Sequence, residues 1–242
     1  MSLLVRSLAA TYYDGHHLEP HAHPWGQLIY AASGVMRVRA GAALWLVPPA
    51  RAVWAPAGLE HEIWARGEFA MRTLYLEPGF ARDLPGDCRA LEVSPFLREL
   101  VLKIVGIGML SAGDPRQRTL AEALQHELGD AEVLPLSLPL PADPRAVRAA
   151  ERMQADPGAD LQLAQLARLA GASVRTLQRL FLDETGLRIA EWRQRLRLLQ
   201  AAGLLGSGAS VTEAGLQAGY ASTSAFIAAF RRQFGRTPAR MR

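Results

Sequence analysis

A single cysteine, Cys88, stands in a chain of 242 residues. No disulfide can form within the chain, so nothing points to a fold stapled for an oxidising compartment, and Cys88 reads as a spare loop thiol. Lysine is equally scarce: Lys103 is the only one, and arginine supplies every other basic side chain. No stretch approaches the ~18 apolar residues that a membrane helix needs. The opening, MSLLVRSLAATYY, is broken by Arg6 and lacks the apolar core and cleavage site of an export signal. Half the chain is hydrophobic and 21% is charged, which excludes a disordered tail and a collagen. The expectation is a soluble cytoplasmic protein that does not enter membranes, long enough for two domains.

The charge is uneven. Residues 1–142 carry 12 basic against 15 acidic side chains, and residues 143–242 carry 15 against 8, all 15 being arginine. A mildly acidic half beside a basic half means that only the second is built to meet a polyanion. Arginine suits phosphate and guanine because its planar fork makes two parallel hydrogen bonds.

The first ninety residues read as short strands, among them 27–31, 35–39, 44–47 and 71–76, punctuated by Gly, Pro and Ser. Such spacing predicts a barrel or sandwich. After Ser94-Pro95 the period changes. Phe96, Leu97, Leu100, Val101 and Ile104 recur at helical spacing, and a second helix is predicted over 115–128 with Leu120, Leu124 and Leu128 on one stripe. Two such helices beside a barrel form either a lid or a dimer surface. Residues 134–144, LPLSLPLPADP, hold four prolines and read as a semi-rigid extended linker.

From residue 145 the chain reads as helical and repeats itself. Gly171 and Ser173 precede Phe181 and Gly186, and Gly219 and Ser222 precede Phe230 and Gly235 at nearly the same spacing. Ala167 and Gly215 each lie four residues before the first glycine. A small residue, a glycine turn, a serine N-cap and a helix make a helix-turn-helix unit. Its second helix enters the major groove. In the first unit Leu177, Leu180 and Phe181 face the core, which leaves Arg175, Thr176, Gln178 and Arg179 for base edges. At the equivalent positions the second unit has Ser224, Ala225, Ile227 and Ala228. Only Ser222, Thr223 and Ser224 offer hydrogen bonds there, while Arg231 and Arg232 are placed for phosphate. The first unit is therefore expected to specify sequence and the second to position. A helix over 189–205, about 25 Å long at 1.5 Å per residue, would hold the two apart.

The stretches LAQLARLAGASVRTLQRLFLDETG, WRQRLRLLQAAGLL and VTEAGLQAGYASTSAFIAAFRRQFGRTP resemble the paired helix-turn-helix domain of the AraC/XylS transcription regulators. The resemblance covers residues 145–242 and implies promoter DNA as partner, control by the N-terminal domain, a homodimer, and contact with RNA polymerase if the protein is an activator. Gly215, where alanine is usual, and Ile227 and Ala228, where polar residues are found, depart from the family.

Five of the six histidines fall in the first 61 residues. His21 and His23 stand two apart and share one face of a strand, with Gln27 at the same parity. His61 follows the turn Pro56-Ala57-Gly58, which can bring it back across a barrel. Three imidazoles and an amide oxygen can ligate Zn, Ni, Mn or Fe; the alternative is that they hydrogen-bond inside the barrel or contact an organic effector. The spacing from Gly15 through His21, His23 and Gln27 to Gly34, then Pro56, Gly58 and His61, resembles the cupin signature, with Gln27 in place of the usual ligand glutamate. That resemblance implies a small β-barrel binding a metal, a small molecule or both. Trp25, Tyr30, Trp45 and Trp54 are candidates for an aromatic effector pocket.

The expected architecture is an α+β multidomain chain: a cupin β-barrel over residues 1–90, a helical dimerisation segment over 91–133, the linker, and an all-α double helix-turn-helix domain over 145–242. The expected function is a DNA-binding transcription regulator, not an enzyme, controlled by a small molecule or metal in the barrel. The alternatives are a metal-dependent cupin enzyme fused to a DNA-binding domain, and a constitutive regulator whose barrel only dimerises.

Overall fold

The computed structural model describes residues 2–65, 67–159 and 161–241. The chain divides into two compact units, one formed by residues up to 41 together with 45–137, the other by 42–44 together with 138 onward.

The first unit holds strands β1 (Leu3–Tyr12), β2 (His17–His21), β3 (Gly26–Ser33), β4 (Met36–Ala40), β5 (Ala43–Val47) from Trp45 on, β6 (Arg51–Ala55), β7 (His61–Ala65), β8 (Phe69–Leu76) and β9 (Arg89–Glu92). Helix α1 (Pro95–Ile107), strand β10 (Met109–Ser111), helix α2 (Pro115–Asp130) and strand β11 (Val133–Leu134) follow. The strands make two antiparallel sheets, one in the order β10-β1-β8-β3-β6-β9-β11, the other running β5-β4-β7-β2. The β-rich domain expected from the sequence is present, and among the described residues its strands form two sheets that hydrogen-bond separately and do not close. Helices α1 and α2 cover the outer face of the larger sheet, so β3 and β6 are buried on both faces. Leu28, Tyr30, Trp54 and Leu74 on that face cluster with Leu97, Leu100, Val101 and Ile104 of α1 and with Ala121, Leu124 and Leu128 of α2. Each helix has a proline in its first turn and a polar cap before it, Ser94 for α1 and Asp114 for α2.

The proline-rich stretch is extended and pinned. Its leucines alternate inward: Leu134, Leu136 and Leu138 are buried while Pro135 is exposed. The Leu136 carbonyl accepts from the Leu46 N–H at 3.2 Å. Further along, within the second unit, the Pro139 carbonyl accepts from Trp192 Nε1 at 2.6 Å, and one Glu184 carboxylate oxygen accepts from the N–H groups of Ala142 and Asp143. The short strand β12 (Ser137–Pro139) lies in this stretch. A free linker would leave those leucines in water; here they anchor it.

The second unit contains α3 (Pro144–Ala155), α4 (Leu163–Ala170), α5 (Val174–Thr185), α6 (Ile189–Gly206), α7 (Val211–Gln217), α8 (Thr223–Phe234) and a closing 3-10 turn (Pro238–Arg240). The turn from α4 to α5 places Gly171 at φ 72°, and the turn from α7 to α8 places Gly219 at φ 78°, the left-handed region that glycine tolerates. Ser173 Oγ then accepts from the Thr176 N–H at 3.1 Å, and Ser222 Oγ from the Ala225 N–H at 3.2 Å. The two units differ in how they pack. The first has Ala167 and Leu177, both buried, where the second has Gly215 and Phe226 at the equivalent places. A methyl group added at Gly215 would lie 3.0 Å from the Phe226 ring, so the missing methyl makes room for the larger side chain.

That compensation is measurable. Gly215→Ala is expected to destabilise the protein by about 1 kcal/mol through overpacking. In a Phe226→Leu background the same change is expected to stabilise, because only the helix preference for alanine remains. Denaturant unfolding of the four proteins in this cycle checks the sign.

Candidate functional site

The histidine group is assembled by pairing across a strand register. β2 pairs with β7 so that His21 stands opposite His61, and the chain between β2 and β3 carries His23 beside them. One ligand atom each from His21, His23 and His61 lies within 4.8 Å of the others. Their rings are 4.4 Å (His21 to His61), 5.2 Å (His23 to His61) and 6.0 Å (His21 to His23) apart. His61 is buried, with 2% exposure, while His21 and His23 keep part of their surface in solvent.

The hydrogen bonds fix which nitrogen of each ring carries the proton. Nδ1 of His21 lies 2.7 Å from the Glu19 carbonyl, Nδ1 of His23 2.7 Å from the Trp25 carbonyl, and Nδ1 of His61 2.9 Å from the Leu59 carbonyl. A carbonyl only accepts, so each Nδ1 must donate, and in the neutral ring each Nε2 is left as a bare lone pair. His61 Nε2 is buried without a hydrogen-bond partner. Burial pushes the His61 pKa below its ordinary 6.5, with His21 and His23 adding to the push and the Leu59 carbonyl opposing it.

Gln27 is polarised the same way from the other side. Thr73 Oγ1 donates to the Leu28 carbonyl at 2.9 Å, so it must accept from Gln27 Nε2, also at 2.9 Å. That leaves Gln27 Oε1 pointing at His23 Nε2, 2.9 Å away. Two acceptors then face each other at hydrogen-bond distance. A shared cation resolves the conflict, or a second proton on His23. The four residues offer three imidazole nitrogens and one amide oxygen, a donor set that suits a first-row divalent metal.

The aromatic residues divide. Trp25 stands next to the group: its carbonyl holds His23, and the Arg6 guanidinium lies 4.6 Å above its ring. Trp45 is buried on β5. Tyr30 and Trp54 do not reach the histidines. Tyr30 is three residues from Gln27 on β3, and Trp54 pairs with Leu28, so both occupy the opposite face and pack against the helices. Sequence reasoning missed Thr73, which sets the direction of Gln27, and Tyr75, whose ring meets His23 edge-on at 5.1 Å. It also missed a second cluster, where buried Glu62 accepts from His17 Nε2 at 2.8 Å and pairs with Arg39. His17 stacks on Trp64 there. Cys88 is inert at neutral pH, because burial and Asp87 push its thiol up to about 12.

In the second unit α5 presents Arg175, Gln178 and Arg179 to solvent and buries Leu177, Leu180 and Phe181. Thr176 is half-buried, its hydroxyl 2.8 Å from the Ser173 cap. Arg179 also reaches Asp183 one turn on, at 3.3 Å. On α8, Ser222 spends its hydroxyl on capping, Thr223 is half-buried, and Ser224, Ile227, Arg231 and Arg232 are exposed. Several arginines serve the fold instead. Arg148 donates twice to the Ala170 carbonyl, at 3.2 and 2.8 Å, beside Gly171. Arg197 packs against Gly219 in the same way and donates to the Pro157 carbonyl at 2.7 Å. Arg193 holds the Leu161 and Ala159 carbonyls.

Comparison with known proteins gives the family of the chain. An AraC-like ligand binding domain matches residues 4–189, and a helix-turn-helix domain matches residues 166–242. The chain belongs to the AraC family. Among its relatives is the HTH-type transcriptional regulator NimR of Escherichia coli (strain K12), 36% identical over 220 residues, which cover 91% of this chain and 80% of NimR. The HTH-type transcriptional regulator RipA of Corynebacterium glutamicum is 40% identical over 100 residues, 41% of this chain and 30% of RipA. A crystal structure of ToxT from Vibrio cholerae with bound unsaturated fatty acid aligns over 98% of this chain and 94% of ToxT, at 12% identity and a TM-score of 0.40. This AraC-family protein therefore has a β-rich ligand-binding domain and a helical DNA-binding domain, and it is a DNA-binding transcription regulator. No helix among the described residues is long and apolar enough to cross a membrane.

For this regulator, NMR of chelator-treated protein is expected to show His61 protonated on Nδ1 and titrating below 6.5. The sign of the stability effect follows. The unfolded chain takes up the proton first, so stability is present above about pH 6.5 and declines as pH falls through it toward the lower folded value. His61→Gln removes that part of the decline in denaturant unfolding between pH 7 and 5.5.

Proposed function

We propose that this regulator is controlled through its histidine group, and that a divalent metal ion is part of the effector site. His21, His23 and His61 hold the ion through Nε2, and Gln27 joins them through Oε1. When bound, the ion supplies a Lewis-acidic anchor for an effector's donor atoms. The observation that carries the reading is the 2.9 Å approach of His23 Nε2 to Gln27 Oε1, with both acceptors oriented by fixed partners behind them. The cupin-like spacing of these residues supports it too. The group serves binding and carries no reaction.

The rest of the reading follows the family. The exposed Phe96 and Ile107 of α1, with Met109 and Val133 beyond it, support a homodimer surface on the helical pair. In the DNA-binding domain Arg175, Gln178 and Arg179 read bases, while Arg231 and Arg232 meet phosphate. Effector occupancy shifts the population of dimer arrangements and so the pair of half-sites gripped together. The protein works in the cytoplasm on promoter DNA, and as an activator it would also meet RNA polymerase.

Elemental analysis of untagged protein tests the metal. Near-stoichiometric metal is expected in the wild type and none in His21→Ala/His61→Ala. Thr73→Val, which frees Gln27 to rotate, is expected to weaken metal binding about 10–100-fold. A metal-free wild type purified without chelator overturns the reading.

At the DNA, Arg179→Ala is expected to cost about 1–3 kcal/mol and relax preference at one base position. Arg232→Ala is expected to weaken binding to all sequences alike and to lower the salt slope by about one. Equal loss by Arg179→Ala on specific and scrambled DNA would refute its base-reading role.

A further inference from the structure

Every donor in the histidine group is formally neutral. His21, His23 and His61 must each present an unprotonated nitrogen to act as ligands, and Gln27 presents an amide oxygen where a carboxylate would bring a negative charge. Among the described residues no aspartate, glutamate or cysteine lies within the same 4.8 Å group. The acidic side chains nearest in sequence are committed elsewhere. Glu19 is 80% exposed and lies 3.2 Å from His17 Nδ1, and Glu62 is buried between His17 and Arg39. Glu60 is exposed. A positive charge stands over the ring of Trp25, whose carbonyl anchors His23: the Arg6 guanidinium. A divalent ion seated here keeps its full charge of two, in a site sealed on the His61 side. Buried charge without a counter-charge is strongly disfavoured.

Resting on the metal reading above, we infer that the effector is a small chelating oxyanion that supplies the missing negative charge. Its chemical class is a carboxylate with an adjacent hydroxyl or carbonyl oxygen. Four protein donors leave a six-coordinate ion two positions, which such a ligand fills with two oxygens. His21 and His23 are partly exposed, so the open side lies on their flank. Gln27 then sets effector class: a glutamate there would halve the ion's charge internally and lessen the demand for an external anion, whereas glutamine leaves that demand whole. The same residue makes metal hold and anion hold pull in opposite directions.

Cobalt(II) tests this, because its visible absorption bands report changes in the ions's ligands without any activity assay. Untagged full-length protein is loaded with cobalt and titrated with lactate, and with lactamide as the neutral molecule of the same shape. Lactate is expected to shift the bands and lactamide to need about tenfold more or to have no effect. Gln27→Glu is expected to hold cobalt about tenfold tighter and lactate about tenfold more weakly. The wild-type comparison of lactate with lactamide stands even if that variant does not fold. Equal responses to lactate and lactamide, no response to either, or lactate binding as well to metal-free protein would overturn the oxyanion while leaving the metal in place. Failure of the wild type to take up cobalt at the histidines would overturn the metal reading and this inference together.

Discussion

A backbone carbonyl can accept a hydrogen bond and cannot donate one, and the candidate effector site depends on that asymmetry. The carbonyls of Glu19, Trp25 and Leu59 force three imidazoles to turn their bare nitrogens inward. The Leu28 carbonyl does the same to Gln27 at one remove, through Thr73. None of these contacts is strong by itself. Together they settle the direction of every lone pair in the group before any ligand arrives, which is what preorganisation means for a binding site.

The DNA-binding half was legible because its signals are local and doubled. A left-handed glycine followed by a capping serine has a short-range physical cause, and seeing it at Gly171 and again at Gly219 identifies the unit without tertiary information. The arginines were not legible. Charge counting treats all fifteen in the second half alike, yet Arg148, Arg193 and Arg197 spend donors on backbone carbonyls of their own domain. Arg175 and Arg179 stay at the surface. Only contacts separated by tens of residues divide the two kinds.

In the ligand-binding half the histidines could be gathered from spacing, since His21 and His23 share a strand face and a glycine turn returns His61. Gln27 could be placed but not oriented, because its direction comes from Thr73, forty-six residues away. Tyr30 shows a different failure. Its odd offset from Gln27 already puts it on the other face of the strand. The apolar stripes of α1 and α2 were assigned to a lid or a partner subunit, so that outer face had nothing to bury against it. Once the helices are seen to cover it, Tyr30 and Trp54 are core residues.

The alternation of leucine and proline over residues 134–141 bears on how the protein behaves in a crowded cell. Along an extended chain, amide groups point alternately to either side. Leu136 and Leu140 lie on one side and donate within the protein, to the carbonyls of Leu134 and Ala42. The other side belongs to residues 135, 137, 139 and 141, and three of these are proline with no N–H to give. A foreign strand approaching that side meets three prolines that cannot donate to it. The segment can stay extended without offering a template for aggregation, which is the hazard that an extended edge otherwise carries.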